Sequence, residues 1–550
     1  MTKTRPRRFL GAPLVFGAAL LLRLGLLLQM RGTMLFEAPT LDAKYYDQWA
    51  MAIAGGDWKG GAGAYFMSPG YPYLLAAMYR LFGHNYGPVL VLQSVVGALS
   101  CALAYFIARR FMSTRASVAA GLLLACCGSS VFYSELLLKA VWIEFLNVAA
   151  VLALLRAVES EEASAWLWPG LLIGLSSQFR PVILAFFPLA LLCAPRRPRP
   201  LAALCVGLLL TLFPMTTANS GINFYIGADP GSAAPYRTLP FARSDPKYEQ
   251  ADFQAEAERR EGRALSAAEA SDYWLRQAWS LIAAHPARWA ALEAKKAWLL
   301  ANDYEQPSNQ NFYFWRSRLS LLWALSPAGY GLLAPLGFLG FFLTWRRREW
   351  RPLHFYFIAC LAGLMIFFAH SEYRHPLTLA LAVYAAFAAS RLVERRGRIG
   401  TAGLLVFAAG AVAGQFPTKK SLGRDYDLAV AENNLGLEEM ERGRLDEAAA
   451  GFAAALRLDP GIADAHDNLA IALWRQGRRD EAVEEWKAAL RQRPDYPEAL
   501  NNLGAAYAQM GRLPEAVALY QAALSLRPQS APARKNLALA YAALRARNLR

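Results

Sequence analysis

Two hydropathy patterns divide the chain. Up to about residue 416, long and uniformly apolar runs alternate with polar segments; beyond it, apolar residues recur at the three-to-four spacing of amphipathic helices. Runs such as Phe9–Met30, Gly87–Ile107, Pro200–Met215 and Leu353–Ala369 are long enough to cross a hydrocarbon core of about 30 Å. Taking every such run as a crossing predicts eleven spans, at roughly 9–29, 87–108, 116–132, 135–156, 165–179, 181–194, 200–218, 320–344, 353–369, 376–392 and 400–416. The fifth and sixth are only about fifteen residues each, short for full crossings. They read as a tight hairpin turning at Arg180-Pro181, where proline cannot continue the preceding helix. Two long polar stretches, about 30–86 and 219–319, interrupt the series. The expected architecture is all-α, a polytopic membrane bundle followed by a segment of a different kind.

That last segment has an internal period. Asn434, Asn468, Asn502 and Asn536 are spaced by 34 residues, as are Gly443, Gly477 and Gly511, and Pro460, Pro494 and Pro528. Between them run Ala448, Ala482 and Ala516, then Phe452, Trp486 and Tyr520. Small residues where two helices touch, an aromatic on the second helix and a closing proline identify the tetratricopeptide pattern. Three repeats fill about 429–530 and a capping helix covers 533–546, the minimum stack that buries a continuous core. The expected division is a membrane module, 1–417, and a repeat domain, 418–550.

Charge then supplies orientation. The net charge of +16 would by itself invite a nucleic-acid partner, but many arginines lie in short loops between apolar runs, and the segment after Pro417 is nearly balanced. Basic clusters at Arg5–Arg8, Arg109–Arg115, Arg196–Arg199, Arg346–Arg351 and Arg391–Arg398 mark alternate span ends, with Glu159–Glu162 the acidic exception. Lys and Arg set orientation far more than acids do, so these loops are expected in the cytoplasm and no nucleic-acid partner is expected. With an odd span count the N-terminus lies inside, and 30–86, 219–319 and the repeats lie on the periplasmic side of an inner membrane. The opening MTKTRPRR and the apolar run after it imitate a signal peptide, yet no small-residue cleavage site follows; the run is expected to stay as the first helix. All six cysteines fall in apolar spans, leaving no disulfide framework and no metal-type Cys/His spacing.

The first polar stretch reads APTLDAKYYDQWAMAIAGGDW and then SPGYPYLLAAMYRLFG. Asp42, Tyr46 and Ala50 fall on one face of a helix, and the segment from Ser68 to Gly83 has the aromatic-rich amphipathic character of interfacial helices. This resembles the C-superfamily glycosyltransferases that use lipid-linked sugars, the branch of protein O-mannosyltransferases and of aminoarabinose and lipopolysaccharide-sugar transferases. There, an acid in a D-x3-Y-x3-A setting opens the first external loop and a P-x-Y-P-x-L-L segment follows. Phe179-Arg180-Pro181 resembles the family's hairpin turn, Asn219–Asp229 the entry to its large external loop, and His285-Pro286, Lys295 or Lys296, and Glu305-Gln306-Pro307 later landmarks of that loop. Tyr373-Arg374-His375-Pro376 resembles the R-Y-x-x-P segment before a late span, with its order altered. The resemblance covers roughly residues 9–400.

What it implies is an inverting transferase moving one sugar from a polyprenyl phosphate to a hydroxyl acceptor. Such chemistry needs a base for the acceptor and cations for the departing lipid phosphate. Asp42 is the implied base, against the alternative of a solvated helix cap; Asp47 lies on another face. Glu135 is the candidate second carboxylate, with Lys139 one turn deeper as a phosphate ligand, although an i, i+4 ion pair would serve structure equally well. Glu144, deeper still, fits neither role. Arg180 and Arg374 fall at external span ends, where a guanidinium fork suits phosphate oxygens and where simple snorkelling is the alternative. Tyr46, Tyr373 and Glu305 are implied in the substrate loops. Arg23, mid-span, requires a partner. His370 and His375 flank Glu372 and Arg374, but no metal is claimed and the cofactor is left open. The tryptophans of 219–319 read first as interfacial anchors.

In the repeats, Asn434, Asn468, Asn502 and Asn536 are expected to face the concave groove as a ladder for an acceptor's peptide backbone, or to be repeat consensus only. Alanine at Asn468 and Asn502 is therefore expected to leave stability nearly unchanged. A repeat domain on the active-site side resembles the architecture of animal transmembrane O-mannosyltransferases with repeats and favours a protein acceptor. A glycolipid or polysaccharide acceptor, or a non-catalytic scaffold for an envelope complex, are the alternatives.

Overall fold

In hydrocarbon a backbone must satisfy its own hydrogen bonds, so the apolar runs become helices. The computed structural model describes residues 10–37, 39–58, 67–212, 219–229, 241, 246–307, 310–325, 329–367, 370–393 and 424–548, and among these every regular element is helical. The chain divides into two units, Met1–Thr418 and Lys419–Arg550. The principal helices of the first are α1 (Gly11–Met30), α2 (Asp42–Ala54), α3 (Gly70–Phe82), α4 (Tyr86–Ala108), α5 (Thr114–Ala125), α6 (Gly128–Ser134), α7 (Ala140–Glu159), α8 (Leu167–Ser177), α9 (Pro198–Thr211), α10 (Ser220–Ala228), α11 (Pro246–Glu261), α12 (Ala267–Ala284), α13 (Pro286–Ala301), α14 (Tyr330–Thr344), α15 (Arg351–Ile366) and α16 (Ser371–Val393).

The α16 helix is the hub of this unit. Its residues Leu377, Leu379, Ala380, Leu381, Ala382, Val383 and Tyr384 are all fully buried, and it packs on α5, α7, α14 and α15. A stretch of helix apolar all round, as 379–388 is, belongs in such a centre. Around it, α1 packs on α4, α4 on α7, and α7 on α8, which pairs closely with α9.

Four helices among the described residues are long and apolar enough to cross a membrane: Gly11–Met30, Tyr86–Ala108, Ala140–Glu159 and Ser320–Thr344. The α5–α6 pair, bent by 58°, makes a fifth if taken as one span. The expected count of eleven is thus not confirmed among the described residues, and helix length is one reason. Hydropathy counts apolar residues, whereas α8 has 11 helical residues and α9 has 14; at 1.5 Å per residue these reach only about 16–21 Å. The α16 helix is long enough, but Glu372, Arg374 and Arg391 lie within it. The run 400–416 lies outside the described residues. The fourth span also starts later than expected: 135–139 is not helical, and α7 begins at Ala140.

The second polar stretch folds on itself. Ile222, Ile226, Phe253, Leu265 and Trp274 form a core shared by α10, α11 and α12, with the Trp274 indole donating to the Phe253 carbonyl at 3.0 Å. Ser266 and Glu269 form a reciprocal capping box at the start of α12. Lys296 of α13 is buried and donates to the carbonyls of Gly227 and Met365 at 2.8 Å each, fixing α13 to α10 and α15.

The second unit contains three helix pairs, Arg424–Glu441 with Leu445–Leu458, Ala463–Arg475 with Arg479–Gln492 and Pro497–Gln509 with Leu513–Leu526, then Ala531–Asn548. Gly443, Gly477 and Gly511 join the helices of each pair with φ of 78°, 84° and 79°, a left-handed turn that favours glycine. Ala448, Phe452, Ala482, Trp486, Ala516 and Tyr520 lie in one continuous core.

Candidate active site

Three local devices aim side chains at one place. The first is Gly70, whose N–H donates to the Gln178 carbonyl at 2.9 Å. A Cβ on Gly70 would lie 2.7 Å from that same oxygen, so only glycine allows α3 to start against the turn that presents Arg180. Arg180 is held extended, as a residue before proline tends to be. The second device is Gln93, fully buried in α4. It accepts from the Tyr71 hydroxyl at 2.8 Å and donates to the carbonyls of Ser134 and Leu136 at 3.0 and 2.7 Å. It thereby fixes the non-helical turn that ends at Lys139. The third is Leu41, with φ of 49° the one non-glycine residue of positive φ among the described residues, placed directly before Asp42. Backbone strain of this kind costs of order 1–3 kcal/mol and concentrates at functional sites.

Asp42, Tyr46, Lys139, Arg180, Glu372 and Tyr373 converge. The Arg180 guanidinium lies 4.1 Å from the centre of the Tyr373 ring, and its Nη2 is 3.3 Å from Glu372 Oε1. Lys139 Nζ lies 5.3 Å from the centre of the Tyr46 ring and within electrostatic reach of Arg180, Asp42 and Glu372. Burial, then Asp42, pushes the Tyr46 phenol well above its ordinary value, so it remains an O–H donor. That hydroxyl is buried without a hydrogen-bond partner among the described residues, in reach of Asp42, Glu372, Tyr373 and Arg180. A buried orphan donor requires an acceptor. Two cations, two carboxylates and an unmet hydroxyl from four separate stretches are thus brought together in one place.

Other expected members lie elsewhere. Arg374 is not a phosphate ligand: it is 2% exposed and donates to the carbonyls of Leu299, Asn302 and Tyr304. It also lies 2.8 Å from Glu305 Oε2, under the Tyr330 ring. Its Nη1 and Nη2 are engaged in clamping the end of α13, and Glu305 is the clamp's counter-ion, not a substrate-loop contact. Glu135 turns away from Lys139 and accepts from the hydroxyls of Ser94 and Ser134 at 2.6 and 3.2 Å. The helical i, i+4 pair between Glu135 and Lys139 does not form, because 135–139 leaves the helix. Asp47 accepts from Tyr79 and Tyr86 and meets His84 Nε2 at 2.8 Å, tying α2 to α3. Glu144 is explained by His375: the two are fully buried with Oε2 and Nε2 2.8 Å apart. Burial pushes the His370 imidazole down to about 4, leaving it neutral. Arg23 donates to the Ala19 carbonyl and lies against Gly97.

Residues 67–216 match the family model described as dolichyl-phosphate-mannose-protein mannosyltransferase, a stretch that holds the Gly70 contact, Lys139 and Arg180. Residues 433–478 and 468–531 match the tetratricopeptide repeat model. The chain is a glycosyltransferase fused to tetratricopeptide repeats. No curated protein matches this transferase. Among solved structures, the oligosaccharyltransferase AglB of the archaeon Archaeoglobus fulgidus, in complex with an inhibitory peptide and a dolichol-phosphate, is similar over 77% of the chain. Identity is 16%, the TM-score is 0.38, and the transferase spans 58% of that protein's length. The Arabidopsis OM64 repeat domain aligns at 20% identity over 21% of this chain and 96% of its own, with a TM-score of 0.21. The first repeat domain of RPAP3, solved with an HSP90 peptide, aligns at 26% identity over 21% and 92%, again with a TM-score of 0.21.

In the transferase's repeats the periodic asparagines have work inside the solenoid. Asn468 donates to Asn433 Oδ1 at 3.0 Å, Asn502 to Asp467 Oδ1 at 3.1 Å and Asn536 to Asn501 Oδ1 at 3.0 Å. Each amide thus bridges to the preceding repeat, so alanine at Asn468 and Asn502 removes inter-repeat hydrogen bonds that the expectation of unchanged stability did not include. Asn434, in the first repeat, is half-buried.

Proposed function

We propose that this chain transfers one sugar from a polyprenyl-phosphate donor to a hydroxyl acceptor, with inversion, at the outer face of the membrane. The observation that carries the reading is the convergence of Asp42, Lys139, Arg180 and the unmet Tyr46 hydroxyl in one place. Arg180 and Lys139 bind the donor phosphate, the first as a fork and the second as a point charge. Tyr46 donates to a phosphate or sugar oxygen. Asp42 takes the acceptor's proton as its oxygen attacks the anomeric carbon from the side opposite the phosphate, and the lipid phosphate leaves with the bonding electron pair. The sugar–phosphate bond is already activated, so placement and charge supply most of the acceleration.

The eleven-span topology, with short helices paired as hairpins, and the periplasmic side belong to this reading. So does a protein acceptor held by the repeats, and so do the domain limits. The test is a reconstituted assay with short-chain polyprenyl-phosphate hexoses and pentoses and a hydroxyl acceptor. The wild-type chain is expected to release polyprenyl phosphate with one of them, and Asp42→Asn, which keeps the side chain's size, to release none. A folded wild-type chain silent with every donor, or an Asp42→Asn variant of undiminished turnover, would overturn the assignment.

A further inference from the structure

The two buried arginine–carboxylate pairs at the first turn of α16 are built differently. Arg374 directs both terminal nitrogens to three carbonyls and a carboxylate at 2.8 Å beneath a ring, and only its Nε is left without a hydrogen-bond partner among the described residues. Arg180 makes a single hydrogen bond among the described residues, to Glu372, at the long end of the hydrogen-bond range. A guanidinium carries five N–H donors, so the Arg180 pair is held but unsaturated. Glu372 is 2% exposed, stands in the first turn of α16, where the helix dipole favours an anion, and also acts electrostatically on Lys139, Tyr46 and Tyr373. Its carboxylate therefore occupies the cationic side of the site, among the same groups that the proposed donor phosphate requires.

We infer that Glu372 is a resident substitute for the donor phosphate: it keeps Arg180 paired and aimed while the site is empty, gives up the guanidinium when the lipid phosphate arrives, and competes with that phosphate for Arg180 when the product leaves. The inference rests on the polyprenyl-phosphate reading above. Charge balance gives it a direction. Lys139 and Arg180 face Asp42 and Glu372. A sugar phosphodiester adds one negative charge; when its bond to the anomeric carbon breaks, the lipid phosphate keeps the electron pair and becomes a monoester carrying about −1.5 to −2. Repulsion from Glu372 thus grows as the product forms. Glu372 would be a positioning and release residue, acting through Arg180 and not on the sugar.

The test measures binding of short-chain polyprenyl phosphate to the full chain in nanodiscs, with donor KM, kcat and thermal midpoint for the same samples. Glu372→Gln keeps size and removes the competing charge. It is expected to bind polyprenyl phosphate roughly tenfold tighter, with lower donor KM and lower kcat as release slows. Glu372→Asp, which restores the charge, is expected to return affinity toward wild type. Unchanged or weaker binding by Glu372→Gln, with or without a loss of thermal midpoint, overturns the inference and leaves Glu372 a structural counter-ion. If the wild-type chain binds no polyprenyl phosphate, the donor reading fails first, and a wild-type chain that binds and turns over while Glu372→Gln does not tighten isolates the failure to this inference.

Discussion

Burying an arginine is unfavourable by several kcal/mol unless its N–H groups find acceptors, and the two arginines paired at the first turn of α16 find them in opposite ways. Arg374 is a structural clamp, so Arg374→Ala leaves Glu305 buried without its cation. Loss of one partner of such a pair costs about 3–5 kcal/mol, and the expected result is a lower thermal midpoint in detergent before any change in donor affinity. Arg180→Ala also takes a cation from a buried carboxylate, Glu372, and is expected to lower the midpoint in turn, but it alone is expected to raise donor KM by tenfold or more, as loss of a charge-assisted phosphate contact does. A comparable rise in donor KM for both would sink this division of labour. From the chain alone the two were indistinguishable, each a cation at an external span end. Asp42, Tyr46, Lys139, Arg180 and Tyr373 were legible as candidates through the resemblance and their shared sidedness, and the structure brings them together. Glu372 was not, because its pairing with Arg180 joins residues 192 apart in sequence, and pairing across such distances has no local signature.

At the scale of elements, contacts between helix ends decide what the helices present. Gly70→Ala places a methyl against the Gln178 carbonyl, and either α3 or the Arg180 turn must move. Overpacking of this sort costs typically about 1–3 kcal/mol; the expected outcome is a lowered midpoint together with raised donor KM, and an unchanged KM would detach Gly70 from the site. In the repeats, Asp467 accepts from the Trp486 indole and from Asn502 on the same oxygen, at the register where the neighbouring repeats have Asn433 and Asn501. Burial pushes its carboxyl up to about 6, against the opposing pull of those donors. A raised folded-state value means the native repeats bind the proton more tightly than the unfolded chain, so this group's contribution falls as pH rises from about 4 to about 6. Asp467→Asn keeps the accepting oxygen and makes the ladder uniform. Unfolding of residues 419–550 should then lose that pH slope and gain on the order of 1–3 kcal/mol at pH 7; an unchanged slope would refute it. The repeat helices were legible because their period repeats the same constraint three times. The membrane helices' ends were not, since hydropathy cannot see a turn such as 135–139, which is apolar around Leu136–Leu138 yet leaves the helix to carry Glu135 and Lys139 in different directions.

At the scale of the whole molecule, the reading joins a transferase module to a repeat unit that has its own core, and that independence makes the joint testable. If the repeats recruit a protein acceptor, they act on effective concentration and not on the chemistry, which belongs to residues of the first unit. Sidedness comes first: a reporter fused after Arg550 should be active only outside the cytoplasm, because a repeat unit on the far side of the membrane from the Asp42 site has no means of delivering an acceptor to it. Given that outcome, a chain ending at Thr418 should retain donor binding and transfer to a small hydroxyl acceptor at the full-length rate. Transfer to protein acceptors should fall by 10²-fold or more, the range over which tethering raises avidity. Adding residues 419–550 as a separate polypeptide should not restore it at comparable concentrations, since the gain arises from covalent connection. Equal loss on both acceptor classes would make the repeats part of the transferase's fold. Equal retention would remove the acceptor from the repeats altogether, and the hydroxyl would then be sought on a lipid or a polysaccharide that reaches Asp42 unaided.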